Sequence, residues 1–345
     1  MKFLGRNAVQ LENETLRVTL LADGCHIAEI FHKQAAISPL WIPPWLTENL
    51  ERDAETAEAY GPDRHFLASV MGHHVCLDMF GEPSESERSA GFELHGEASL
   101  VSYDCIVADG KIHATAHLER SALRLSRSIH LGADGYSVSI CETVENLLPI
   151  DRPIAWTQHV TLGPPFLVPG VTRIRMNPIR SRVANTNPEQ GELNPGADFT
   201  WPNAPSHDEG THNLSIFADR NRGASLTTHR MERSVSDVGF TVFCPLRDMT
   251  FGYRWNSKDF PWLAMWEENK FRRDIPWSHE TVACGLEFGV SPFPESRREM
   301  VDRGSLFNTS TFRWLGAKTK VSASYSAFLY SADQTNLDYR SEIPT

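Results

Sequence analysis

The sequence predicts an all-β chain folded as one large β-sandwich over residues 1–345, and three observations carry that prediction. Apolar residues alternate with polar ones at Leu16/Val18/Leu20, Ile112/Ala114/Ala116/Leu118, Tyr136/Val138/Ile140 and Val321/Ala323/Tyr325/Ala327/Leu329. This is the period of a strand with one buried face. Ala22-Asp23-Gly24, Ala108-Asp109-Gly110 and Ala133-Asp134-Gly135 lie between such runs, where Asp and Gly supply the positive φ of tight turns. Helical periodicity is nearly absent. The exception is an acidic stretch from Leu46 to Tyr60, with Leu46, Leu50 and Ala54 on one stripe and Gly61-Pro62 as a stop. The segment from Asn177 to Glu209, rich in Asn, Pro, Gly and Asp, reads as a long surface insertion rather than a linker.

Composition narrows the function classes. With 345 residues and 41% hydrophobic content, the chain can bury a large single core. Lys+Arg at 33 against Asp+Glu at 44 gives a net charge of −11, which disfavours non-specific binding to nucleic acid or to an anionic membrane. Met1 to Asn7 lacks an apolar signal-like core, and no later run is long and apolar enough to span a bilayer. A cytoplasmic location is expected. The six cysteines are scattered without a Cys-x-x-Cys pair, so free buried thiols are expected, Cys284 among them.

Three short motifs hold residues suited to acid/base work on a sugar: Leu94-His95-Gly96-Glu97-Ala98, Trp156-Thr157-Gln158-His159 and Gly285-Leu286-Glu287-Phe288. Epimerisation at an anomeric carbon needs a base for the C1 hydroxyl and an acid for the ring oxygen, which a carboxylate and an imidazole can supply. Glu287 and His159 each lie in a run almost free of charge. Taken singly, Glu287 reads first as an outward-facing strand residue and His159 as a satisfied core histidine, and His95 fits a turn equally well. Gly96 would let the backbone approach a ligand closely. His73 and His74 are adjacent, so on a strand they point to opposite faces and cannot share one metal ion; His74 is taken as the one facing the site, and no metal is expected. His113 and His117 fall on the polar face of their strand. Trp262 and Trp266 concentrate aromatic surface shortly before Glu287, and sugar C–H faces stack on such surface.

In this order the motifs resemble those of the aldose 1-epimerase (galactose mutarotase-like) superfamily. Leu94-His95-Gly96 resembles its Leu-His-Gly-Gly element, Gln158-His159-Val160-Thr161-Leu162 its Asn-His-x-Tyr-Phe element, and Gly285-Leu286-Glu287 its Ala-Leu-Glu element. Asn13 to Gly24 is similar to its first strand and glycine turn, and Phe312 to Lys318 to its final strand pair. The resemblance implies the family's supersandwich and a cofactor-free isomerase, with Glu287 as general base, His159 as acid at the ring oxygen and His95 as a partner at the same oxygen. It further implies Trp266 as a sugar platform and a substrate-orienting aspartate, for which Asp259 and, less well, Asp237 are available.

Two positions depart from the pattern: Gln158 replaces asparagine, and Leu162-Gly163-Pro164 replaces Phe-Asn-Leu. The Trp266 segment is closer to the phosphorylated-sugar branch, which would require arginines such as Arg64, Arg254, Arg272 or Arg273. The expected partner is a small-molecule sugar. A carbohydrate-binding protein on the same scaffold is the alternative, and a glycan hydrolase or lyase, with Glu267, Glu268 or Asp259 as a second carboxylate, is a weaker one.

Overall fold

Period-two alternation becomes two antiparallel sheets packed face to face in the computed structural model, which describes residues 1–48, 58–185, 192–208, 210–219, 223–232 and 237–331. Half of the described residues are in strands and only 8% in helices, so helices decorate the sandwich and do not build it. The larger sheet has 11 strands, in the order Lys2–Phe3, Arg6–Glu12, Leu16–Leu21, Ile27–His32, His73–Leu77, Trp156–Leu162, Val282–Gly289, Trp262–Asn269, Gly223–Met231, Pro178–Val183 and Asp198–Phe199. The smaller has 8, in the order Arg173–Met176, Val238–Cys244, Met249–Trp255, Lys320–Ser331, Ser137–Asn146, Leu123–Leu131, Lys111–Leu118 and Asp104–Ala108.

Three of the four alternating runs lie wholly within strands, and the fourth does so from Val138 on, Tyr136 standing just before Ser137–Asn146. In Lys111–Leu118, Ile112, Ala114, Ala116 and Leu118 are buried while His113 and His117 are exposed. The hairpin before this strand turns through Asp109 at φ 50° and Gly110 at φ 69°, the geometry of the two-residue turns that match strand twist. The cysteines are free, and Cys25, Cys76, Cys244 and Cys284 are buried.

The central strands of the larger sheet are buried on both faces. The inner face carries Val75, Leu77, Val160, Leu263, Met265, Leu286 and Phe288 into the main core. A polar network is sealed between the sheets. Arg127 donates to Glu142 at 2.7 Å and to the Cys25 carbonyl at 2.7 Å, and the Gln158 amide and Trp156 indole donate to the other Glu142 oxygen at 2.6 and 2.9 Å. Gln158, the departure from the expected asparagine, therefore serves the core. Burial of such groups is tolerated only with partners in place.

One expectation changes. Part of the segment expected as an insertion extends the larger sheet: Pro178–Val183 pairs with Gly223–Met231 and carries Asp198–Phe199 on its other edge. Alternation there is masked by Arg180 and Arg182, which both reach Asp198. Of the expected helix from Leu46, the structure shows Pro44–Glu48, while residues 49–57 lie outside the described residues. No helix among the described residues is long and apolar enough to cross a membrane.

Candidate active site

Register brings the candidate residues into one row. His159 is paired with His74 on one neighbouring strand and with Glu287 on the other, and Glu287 is paired with Ala264. Directly paired residues project to the same face, so His74, His159 and Glu287 stand side by side on the outward face of the larger sheet. His73 points the other way: its ring bonds the Tyr253 hydroxyl at 2.8 Å and Gln158 at 3.0 Å.

Within the row, His159 Nε2 lies 3.0 Å from Glu287 Oε1, and its Nδ1 lies 3.0 Å from the Thr161 hydroxyl. A carboxylate only accepts, so with Glu287 ionised the Nε2 proton is donated to it. In the neutral imidazole the Thr161 hydroxyl then donates to Nδ1. Both Glu287 and His159 are buried. Gly285 creates the space for this pair, because a Cβ there would sit 2.4 Å from Glu287 Oε1 and 3.2 Å from the Trp266 ring.

His95 reaches the row from a loop. Its ring centroid is 5.2 Å from that of His159 and 5.8 Å from that of His74. Asp63 accepts the Leu94 N–H at 2.9 Å, Glu93 accepts the Phe66 N–H at 3.1 Å, and His95 N donates to the Gly81 carbonyl at 3.0 Å. His95 itself has φ 67°, a conformation uncommon outside glycine. Gly96 corrects the sequence reading: a Cβ there would meet the Leu77 carbonyl at 2.8 Å, so its close approach is to a neighbouring strand.

His74 stacks on His159 at 4.4 Å and on His26 at 5.5 Å. It is fully buried, and neither of its ring nitrogens has a hydrogen-bond partner; the same holds for His95 Nδ1. Burial above all, then the neighbouring His159, holds both His74 and His95 well below the ordinary imidazole range, so both are neutral. Orphaned buried nitrogens each cost on the order of 1–3 kcal/mol. Cys76, two residues from His74 on the same face, also borders the row, and burial together with Glu287 pushes its thiol up.

Tryptophans wall the site. Trp41 stacks on Trp277 at 6.1 Å, Trp45 meets both edge-on, and Trp266 meets Trp277 at 5.9 Å and His159 at 6.4 Å. Gly163 makes room for this wall, since a Cβ there would lie 2.5 Å from Trp41 Cδ1. The Arg272 guanidinium lies 4.5 Å from the Trp277 centroid and 5.5 Å from that of Trp266. Arg254 lies on the smaller sheet, Arg64 in the Arg64–Leu67 helix, and Arg273 is exposed beside Asp274.

The expected residues are thus not all gathered together. Glu287, His159, His95, His74 and Trp266 converge, whereas Asp259 sits in the turn before Trp262–Asn269, 3.6 Å from Arg313. Among the described residues no hydrogen bond or ion pair joins Asp259 to the histidine row. Asp237 lines a concavity of about 400 Å³ over the smaller sheet with His130 and Arg254. Glu267 faces inward and accepts from Ser225 at 2.6 Å, and Glu268 accepts the N–H groups of Phe271 and Arg272 at 2.6 and 3.0 Å. Phe66, Cys76, Thr161 and the Trp41/Trp277 pair were not anticipated, although His74-x-Cys76 at strand spacing was visible in the sequence.

No family model matches this chain, and no curated protein does. Solved structures do. A candidate aldose 1-epimerase from Klebsiella pneumoniae superposes with TM-score 0.65 at 13% identity, covering 92% of this chain and 78% of that one. One from Escherichia coli K12 gives 0.62 at 12% identity, covering 94% and 99%. A galactose mutarotase-like protein from Clostridium acetobutylicum gives 0.63 at 12% identity, covering 96% and 97%. At such identities the likeness carries the fold, and this chain has the galactose mutarotase-like β-sandwich.

Proposed function

We propose that this protein is a mutarotase that interconverts the α and β anomers of a sugar. The observation that carries the reading is the His159–Glu287 pair, Nε2 to Oε1 at 3.0 Å, with His95 beside it and half-buried tryptophans at the entrance. On a pyranose the anomeric hydroxyl and the ring oxygen are bonded to the same carbon, so a base and an acid that stand this close can flank them both. When a sugar enters between them, Glu287 accepts the C1 hydroxyl proton and the Nε2 proton is left to the ring oxygen.

The electron pair of the O–H bond becomes the second bond of the C1 aldehyde, and the bond from C1 to the ring oxygen breaks. His159 enters this step as the imidazolium, gives its Nε2 proton to the ring oxygen and is left as the neutral ring with its Nδ1 proton toward Thr161. Rotation about the bond from C1 to C2 and reversal of both transfers closes the other anomer, leaving Glu287 and His159 as they began. Thr161 holds the imidazole by Nδ1, and His95 contributes a second polar group at the ring oxygen. No cofactor is required by these steps.

Glycan cleavage fits less well. Ala264 stands beside Glu287 and Glu268 four residues further on, about 13 Å along the strand, while Glu267 faces the core. Paired-carboxylate chemistry needs a closer partner. Polarimetry of freshly dissolved aldoses, neutral and acidic, tests the proposal: faster approach to the anomeric equilibrium than in buffer is expected. Sugar binding by calorimetry with no such acceleration for any member of the panel would instead leave a carbohydrate-binding protein.

A further inference from the structure

We propose that His74, Cys76 and His95 form a binding site for a single borderline-soft divalent cation of the Zn²⁺ class. One ligand atom from each of the three lies within 4.8 Å of the others, and all three residues are buried. His74 and Cys76 are two apart on the His73–Leu77 strand and so share a face, while His95 closes over them from its loop. The paired arrangement that a strand forbids to His73 and His74 is thus met by different residues.

The donor set points to a metal rather than to a sugar hydroxyl. Both ring nitrogens of His74 and Nδ1 of His95 are without hydrogen-bond partners. His74 and Cys76 are 0% exposed, and their donor atoms face one another and His95. Two imidazoles and one sulfur suit Zn²⁺ or Co²⁺ and suit Mg²⁺ or Ca²⁺ poorly. Bonds of about 2.0–2.1 Å to nitrogen and 2.3 Å to sulfur hold tetrahedral donors about 3.4–3.6 Å apart, so the site draws in by about 1 Å when it fills. Phe66 packs against both His74 and His95 and excludes water from that side. As the metal–sulfur bond forms, the Cys76 thiol releases its proton to solvent, and the fourth position is left to water.

This inference does not rest on the mutarotase reading, and its test reads no turnover. Chelator-treated full-length protein is titrated with Co²⁺ and followed by absorption. The expected result is uptake of one equivalent with a thiolate-to-cobalt charge-transfer band in the near ultraviolet. Cys76→Ser is expected to abolish the band, and His95→Gln to weaken binding at least tenfold. Cys141→Ser, which removes an exposed thiol on the smaller sheet, is expected to leave both unchanged. Circular dichroism of each variant reports its folding, and His95→Gln alters only a loop residue should Cys76→Ser fail to fold. Absence of the band in the wild type, its persistence in folded Cys76→Ser, or undiminished affinity in His95→Gln would each overturn the proposal.

Discussion

His159 Nε2 and Glu287 Oε1 stand 3.0 Å apart because cross-strand register pairs the two residues directly. Base and acid are therefore fixed by the sheet and not by a loop. Truncating either removes one proton-transfer partner, an effect typically worth 10²–10⁴-fold. Glu287→Gln keeps the shape and a hydrogen-bonding oxygen but loses the base. The expected outcome is a fall in kcat within that range for Glu287→Gln and for His159→Asn, with sugar affinity by calorimetry changed less than tenfold. Full activity in Glu287→Gln would remove that carboxylate from the chemistry.

Gly285 is the space on which that pair depends. Its backbone is in an ordinary extended strand, so Gly285→Ala introduces no φ strain, yet the added methyl meets Glu287 Oε1 and the Trp266 ring. Overpacking of this kind costs about 1–3 kcal/mol, and displacing an acid/base group by about 1 Å costs on the order of 10²-fold in rate. Gly285→Ala should therefore fold, with a modest loss in a guanidinium melt, and lose activity far out of proportion to that loss. Equal activity with unchanged stability would show that Glu287 does not lie over this glycine.

Thr161 offers a milder perturbation. Its hydroxyl is the partner of His159 Nδ1 at 3.0 Å, and Thr161→Val preserves shape while deleting that bond. A net hydrogen bond of about 1–1.5 kcal/mol corresponds to roughly tenfold. Steady-state kinetics should show kcat down by about that factor, with KM nearly constant and the alkaline limb of the pH profile shifted. A variant whose only change is in KM would place Thr161 at the substrate instead.

The sheets were readable from residues because one wet face leaves alternation in the sequence, as at Ile112 to Leu118. Pro178–Val183 escaped that test, since Arg180 and Arg182 meet Asp198 and interrupt the apolar pattern. Within the candidate site, His159 and Glu287 were legible as ionisable groups in uncharged runs. Their pairing was not, because register between strands more than a hundred residues apart is a tertiary outcome. The same applies to Trp41 against Gly163. Asp259 was chosen by sequence order alone, and order says nothing about which way a turn faces. Its guanidinium partner, Arg313, comes from a separate strand, Arg313–Leu315.

Stability should depend on pH through His229. Burial pushes its imidazole down to about 3, and the ring is held between Ser181 at 2.8 Å and Thr227 at 3.0 Å. In the unfolded chain a histidine titrates near 6.5. Above that pH both states are neutral and the native state keeps its full stability. Below it the unfolded state takes up a proton that the native state refuses, so stability falls as the pH drops toward 3. At pH 5 this single group costs about 2 kcal/mol. The stability difference between wild type and His229→Gln, from guanidinium unfolding, should shift in favour of the variant by about that amount between pH 7.5 and pH 5. A difference independent of pH would mean that the native imidazole titrates normally.

Arg127 and Glu142 test what the sealed network contributes. Both are fully buried, and the Glu142 carboxylate also accepts from Trp156, Gln158 and Tyr325, while Arg127 reaches the Cys25 carbonyl. Gln158 and Trp156 lie on the same strand as His159, so the network fixes that strand from the side opposite the site. Removing one partner leaves a buried charge uncompensated, which costs about 3–5 kcal/mol, whereas replacing both charges with apolar groups of similar volume can be nearly neutral. Arg127→Met alone should therefore lower the guanidinium midpoint sharply. Arg127→Met with Glu142→Leu should recover part of the loss, but only part, because the Trp156 indole and Gln158 amide still lack an acceptor. Recovery to wild-type stability would show that those two donors find other partners, and no recovery would show that hydrogen bonding, not charge pairing, holds the two sheets at this point.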